Sequence, residues 1–225
     1  MPDVSGKFPG KGAFSDSGGC MAPGVLYTIG PSNHELSDFA DLLIKFKISH
    51  LADVRSIPFS RHASSYNRDF LKSFLTSKNI KYVYMGVAFG ARPRDPGLYT
   101  KDGYLDFEKA CSAASFRAGA ANIIKGLNSG HNIALMCSEK DPLDCHSAIM
   151  VARAFTFYNV KPVHVLHDGS CLTQEDLDKR LLDLYFPDWR NGSLFADVLP
   201  YDDLLRQAYR KRNKKIGYHL MVKNK

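Results

Sequence analysis

Short apolar runs alternate with amphipathic helical stretches along most of this chain, and that alternation constrains its fold more than any other feature. "GVLYTIG", rich in β-branched and aromatic residues and closed by glycine, reads as a buried strand. "SNHELSDFADLLIKFK" follows as a helix with Leu36, Phe39, Ala40, Leu43 and Phe46 on one stripe and Ser32 or Asn33 as its candidate cap. The strand signal returns in "HLADVRS", "IKYVYMG", "HNIALMC" and "VKPVHVLHDG". Helical patterns separate these runs: "NRDFLKSFLTSKN", then one or two helices in "DFEKACSAASFRAGAANIIKGLNSG", then "DPLDCHSAIMVARAFTFYN". "TQEDLDKRLLDLYF" closes the series, with Thr173 and Asp176 placed as an acidic version of a capping box.

Strands separated by helices predict an α/β fold, with a mostly parallel sheet and helices on both faces in a Rossmann-like three-layer arrangement, plus a basic helical C-terminal extension. The expected organisation is a flexible leader over 1–24, an α/β domain over 25–200 and a basic tail over 201–225. Hydrophobic content of 44% and charged content of 24% suit a globular chain with a sizeable core. No apolar run reaches membrane-spanning length, and the start lacks the apolar core of a secretory signal. The odd count of five cysteines argues against a disulfide framework and for a reducing, cytoplasmic setting.

The net charge of +7 is concentrated at one end. Between Leu204 and Lys225 lie eight Lys or Arg and no acid, and without them 22 basic residues face 23 acidic ones. Such a segment can meet nucleic acid or another anionic surface, or simply be solvated.

In parallel sheets ligands sit beyond the carboxyl ends of the strands. The residues following each predicted strand are therefore the candidates. They are Asn33 after the first; Asp53, Arg55 and Arg61 after the second; Arg92 and Arg94 after the third; Cys137, Cys145 and His146 after the fourth; and His167 after the fifth. Planar guanidinium forks on loops favour phosphate or carboxylate, although pairing with Asp53, Asp95 or Glu139 would stiffen the loops instead.

"MCSEKDPLDCH" concentrates the chemistry. Asp141-Pro142 reads as a helix cap followed by proline at the first helical position, which puts Cys145 about one turn inside a helix with His146 beside it. A strand-end thiol at Cys137, near a helix N-terminus and arginines, should have thiolate character. His167 could act on it as acid or base. A phosphatase-type cradle needs an arginine soon after the cysteine, and none occurs before Arg153. Cys137, Cys145 and His146 also offer three metal ligands, a minority reading because their spacing is not that of a zinc knuckle. No cofactor is expected.

The stretches "LYTIGPSNHELSDFADLL", "LADVRSIPFSRHASSYN", "IKYVYMGVAFGARP" and "IALMCSEKDPLDCHSAIMVARA" resemble, in order, the domain-of-unknown-function 488 family. The resemblance implies a compact α/β domain and supplies no activity. It carries over Asn33, Asp53, Arg55, Cys137, Glu139, Asp141, Pro142, Cys145 and His146 as candidates. Where the family typically shows Cys-His-Arg, this chain has Cys145-His146-Ser147, and where it shows Gly-Gly-Arg, this chain has Gly90-Ala91-Arg92.

Together these readings predict an enzyme acting on a nucleotide or other phosphate-bearing anion. Cys137, Cys145, His146 and Glu139 are its catalytic candidates, Asn33, Arg55, Arg61, Arg92 and Arg94 its anion contacts, and Asp53 and His167 its supports. The alternative is a nucleic-acid or nucleotide binding module without catalysis.

Overall fold

The computed structural model describes residues 22–31, 34–190 and 199–220. Most of the expected leader, and the cap candidates Ser32 and Asn33, lie outside the described residues. Strand β1 (Leu26–Ile29) leads through α1 (Leu36–Lys45) to β2 (His50–Asp53), and α2 (Arg68–Ser77) leads on to β3 (Lys81–Tyr84). A longer connection with α3 (Gly86–Phe89), α4 (Phe107–Ser112) and α5 (Ala114–Asn128) returns the chain to β4 (Ile133–Met136). A π-helical turn over Ser147–Ala152 then runs into α6 (Arg153–Thr156). β5 (Val163–Val165), β6 (Cys171–Thr173), α7 (Gln174–Tyr185) and α8 (Tyr201–Ile216) complete the described chain.

The sheet runs β3-β2-β4-β1-β5-β6, parallel from β3 to β5, with β6 antiparallel at the edge. β4 is thus inserted between β2 and β1, so its carboxyl end opens at mid-sheet between the loops that follow those two strands. Side chains alternate across a pleated strand. Ala134 and Met136 accordingly face a core built with Leu36, Phe39 and Leu43 of α1 and Leu71 and Leu75 of α2. Ile133, Leu135 and Cys137 face the opposite core, with α5, the π-helical turn, α7 and α8. This is the expected three-layer α/β architecture.

Local chemistry accounts for the boundaries. The predicted stripe of α1 buries Leu36, Phe39, Ala40 and Leu43, whereas Phe46 caps the helix and stays half-buried. The long helical stretch after the third strand divides into α4 and α5 because Ala113 is extended (φ −65°, ψ 148°). Thr173 and Asp176 form the anticipated capping box. β6 goes unseen in the sequence, since its three residues directly precede that cap and pair only after a tight turn in which Gly169 has φ +76°.

The described part of the basic extension is largely the helix α8, which packs on the body of the fold. Leu205 and Ala208 of α8 are buried in the core shared with α7. Arg206, Arg210, Arg212 and Lys214 pair with Asp203, Glu108, Asp144 and Asp102. Half of the eight cations between Leu204 and Lys225 therefore already have acidic partners. Among the described residues no helix is long and apolar enough to cross a membrane.

Candidate active site

Cys137 is the first residue beyond β4, its N–H donating to the Ile29 carbonyl at 3.2 Å. The following segment folds back over the end of β1, where a Cβ on Gly30 would lie 2.0 Å from the Glu139 carbonyl oxygen. Only glycine permits that approach. The return is then locked locally: Asp141 accepts from the Leu143 N–H at 2.9 Å, and Pro142 opens a single 3₁₀ turn ending at Asp144.

The expected helix begins later than the cap and proline suggest. Cys145 is extended (φ −105°, ψ 128°), and His146 caps a helix starting at Ser147. Cys145 is therefore not one turn inside a helix, and its side chain and that of His146 are free of helical divergence. They converge on the strand end instead. One ligand-type atom from each of Cys137, Glu139, Cys145 and His146 lies within 4.8 Å of every other.

Within this cluster the Cys137 thiol donates to Glu139 Oε2 at 2.6 Å, and its Sγ lies 3.2 Å from His146 Nδ1. His146 Nε2 is 3.2 Å from the Val54 carbonyl. A carbonyl only accepts, so this contact assigns the ring proton to Nε2 and turns the Nδ1 lone pair toward the sulfur. Cys145 Sγ lies 2.9 Å from Ser147 Oγ. Cys137, Cys145 and His146 are 2%, 4% and 9% exposed, whereas Glu139 is exposed. Burial, with Cys137 alongside, pushes the Cys145 thiol well above its ordinary pKa. Burial also acts to raise the Glu139 carboxyl, but the Cys137 thiol, a backbone N–H and the nearby His146 ring hold it below its usual value.

The arginines are placed differently from the thiols. Arg55 is buried and spends Nε and Nη2 on Asp53 at 2.9 and 2.6 Å, with Nη2 also donating to the Tyr66 carbonyl at 2.9 Å. Asp53 is completed by the Tyr82 hydroxyl at 2.7 Å. Asp53 and Arg55 thus brace the loop after β2, since a buried ion pair persists only when its remaining hydrogen bonds are met. Arg61, Arg92 and Arg94 are exposed, and the Arg92 guanidinium lies 4.7 Å from the Tyr218 ring centroid. Among the described residues no arginine hydrogen-bonds to the cluster. His167 stacks on His34, ring centroids 4.0 Å apart, rather than on Cys137; partial desolvation, His34 and Lys140 lower its pKa. Asn33 lies outside the described residues.

Two arginines that sequence reasoning passed over hold the cysteine loop. Arg180 of α7 bonds Asp141 at 2.8 Å, and buried Arg212 of α8 bonds the Leu143 carbonyl at 2.7 Å and the Asp144 carboxylate. Both lie far along the chain, on helical positions that carry no local signal. The space beside the cluster, lined by Thr28, Gly30, Glu139, Cys145 and Ser147 among others, is a cavity of only about 10 Å³. A roomier hollow of about 290 Å³, open to solvent, lies near the amino ends of β2 and β4 beside His50, Ile123 and His131 and contains none of the candidate residues.

The profile of a family described as "Domain of unknown function DUF488" matches residues 35–154. The chain belongs to the DUF488 family. The matched span takes in α1 through the first residues of α6, and so the whole cysteine loop, but neither β1 and Gly30 just after it, nor α7 and α8, which supply Arg180 and Arg212. No curated protein and no solved structure matches this DUF488 chain.

Proposed function

We propose that this DUF488 protein is an enzyme whose reacting group is the Cys137 thiol and whose substrate is an anion, a nucleotide or another phosphate-bearing small molecule. The observation that carries this reading is the 3.2 Å approach of His146 Nδ1 to Cys137 Sγ, with Nε2 engaged by the Val54 carbonyl. A nucleophile beside a base that a third group orients is the general arrangement for covalent catalysis. Once the thiol proton turns from Glu139 Oε2 to Nδ1, Sγ forms a bond to the electrophilic atom of the substrate while that proton passes to Nδ1. The leaving group departs with that proton, and water or a second acceptor then breaks the bond to sulfur.

Glu139, exposed and bonded to the thiol, has to swing aside to admit substrate. Arg61, Arg92 and Arg94 provide exposed positive charge on the loops after β2 and β3, while Arg55 positions the first of those loops. Free thiols at Cys111, Cys137, Cys145 and Cys171 fit a reducing, cytoplasmic setting. The alternative of a non-catalytic nucleic-acid module draws less support, because the pairing of Arg206, Arg210, Arg212 and Lys214 leaves fewer cations for phosphate contacts.

The test is the pH dependence of alkylation at each cysteine, read by mass spectrometry with and without chelator. Selective reaction of Cys137 with an apparent pKa below the free value of about 8.5 supports the proposal. Slow, uniform reaction of all cysteines in both conditions rejects it.

A further inference from the structure

We propose that Cys137, Cys145 and His146, with Glu139 in a fourth and exchangeable position, hold one soft divalent cation of the zinc class. The inference rests on the reading of this cluster as the reacting centre and names the cofactor it would work with. Zinc bonds to sulfur, nitrogen and oxygen of about 2.0–2.3 Å place neighbouring tetrahedral ligands about 3.3–3.8 Å apart. The Cys137–His146 separation of 3.2 Å lies just under such an edge, the Cys137–Glu139 pair at 2.6 Å has to open, and a cluster spanning at most 4.8 Å needs side-chain adjustment to close on an ion.

The surroundings point the same way. His146 presents one nitrogen to the cluster while the other donates to the Val54 carbonyl, the outer contact that fixes the tautomer and orientation of a metal-bound imidazole. Two buried cysteines and a carboxylate converge with no arginine or lysine hydrogen-bonded to them among the described residues. Low dielectric disfavours two adjacent thiolates unless a strong positive charge sits between them. Sulfur donors select a soft ion over magnesium or calcium. Glycine at position 30, the cap at Asp141 and the two arginine braces hold the ligand loop before any ion arrives.

Binding converts two thiols to thiolates and releases their two protons to solvent, while the His146 ring gives only its Nδ1 lone pair. With the ion bound, His146 no longer takes the thiol proton, because the ion makes the thiolate the stable form of Cys137. Exposed Glu139 is the ligand that can yield its place to substrate or water.

The test uses the full-length, untagged chain. Its metal content is measured as purified, and the apo protein is titrated with Zn²⁺ and with Co²⁺. One equivalent bound, with an intense near-ultraviolet thiolate-to-cobalt band and visible bands of tetrahedral strength, is the expected result. Cys145→Ser and His146→Gln should lose the band, Glu139→Gln should keep it with affinity weakened at least several-fold, and Cys171→Ser should leave it unchanged. Failure of the folded wild-type protein to take up either ion overturns the inference. If Cys137 then still alkylates with a depressed pKa, the thiol-enzyme reading survives without the metal. Uptake of one ion with Cys137 inert even after chelation keeps the metal site and removes the thiol reading.

Discussion

Gly30 and Glu139 meet backbone to backbone: a single methyl group on Gly30 would stand 2.0 Å from the Glu139 carbonyl oxygen. The end of β1 therefore sets the height at which the 138–141 segment crosses it, and with it the position of the Glu139 carboxylate over Cys137. Gly30→Ala should displace that segment and cost about 1–3 kcal/mol of stability, as overpacking does. Denaturant unfolding reads the cost. Cys137 alkylation should rise in the same variant, because the Glu139 side chain is carried off the thiol. Unchanged stability and reactivity would contradict the account.

The Asp53–Arg55 pair predicts a structural phenotype rather than a loss of anion binding. Asp53 is fully buried and accepts from Arg55 and Tyr82. Asp53→Asn leaves the Arg55 charge without its counterion, and breaking a buried pair in this way costs about 3–5 kcal/mol. A loss of that size in the unfolding free energy measured in urea is expected. Arg61→Ala and Arg92→Ala, being exposed, should stay within about 0.5 kcal/mol of wild type in the same assay.

Arg212→Ala tests whether α8 restrains the cysteine loop. Its loss removes the bonds to the Leu143 carbonyl and the Asp144 carboxylate from a side chain that is 4% exposed. A destabilisation of about 2–3 kcal/mol follows from the unmet carbonyl and lost packing. Amide hydrogen exchange should quicken over 141–146 beyond what global unfolding explains. Exchange that quickens uniformly along the chain would place Arg212 outside any role in the site.

His164 predicts an acid-sensitive fold. Burial, with the Arg180 charge adding to it and the nearby Gln174 side chain opposing it, lowers its pKa to about 4 from the ordinary 6.5. The unfolded chain then binds the proton more readily than the folded one between those two values, so stability rises with pH across that window. The contribution is complete above about pH 6.5 and fades as pH falls toward 4, amounting to about 3 kcal/mol in all. Unfolding measured from pH 4 to 7 should show this slope in wild type. His164→Asn should flatten it, and an equal slope in both proteins would exclude His164 as its source.

His146→Gln separates the base from the scaffold. The amide retains a donor for the Val54 carbonyl but cannot take a proton from Cys137. In chelator, Cys137 should alkylate at least about tenfold more slowly at neutral pH. An unaltered profile would remove His146 from the thiol's chemistry.

The sequence by itself determined the five parallel strands, the α1 stripe, the Thr173–Asp176 box and the gathering of candidate loops at one sheet edge. These depend on periodicity and caps, whose partners lie within a few residues. Only the tertiary structure decided what the candidates do there. Extended backbone at Cys145, where a capped helix was expected, turns Cys145 and His146 together toward Cys137. Arg55 looks available on the page, yet Asp53 and the Tyr66 carbonyl occupy it, while Arg180 and Arg212 look like ordinary helix residues and hold the loop. Residue type and spacing set which groups approach the edge; the loop path and contacts from distant helices set which of them meet, because a side chain's partner is chosen by geometry that no local stretch contains.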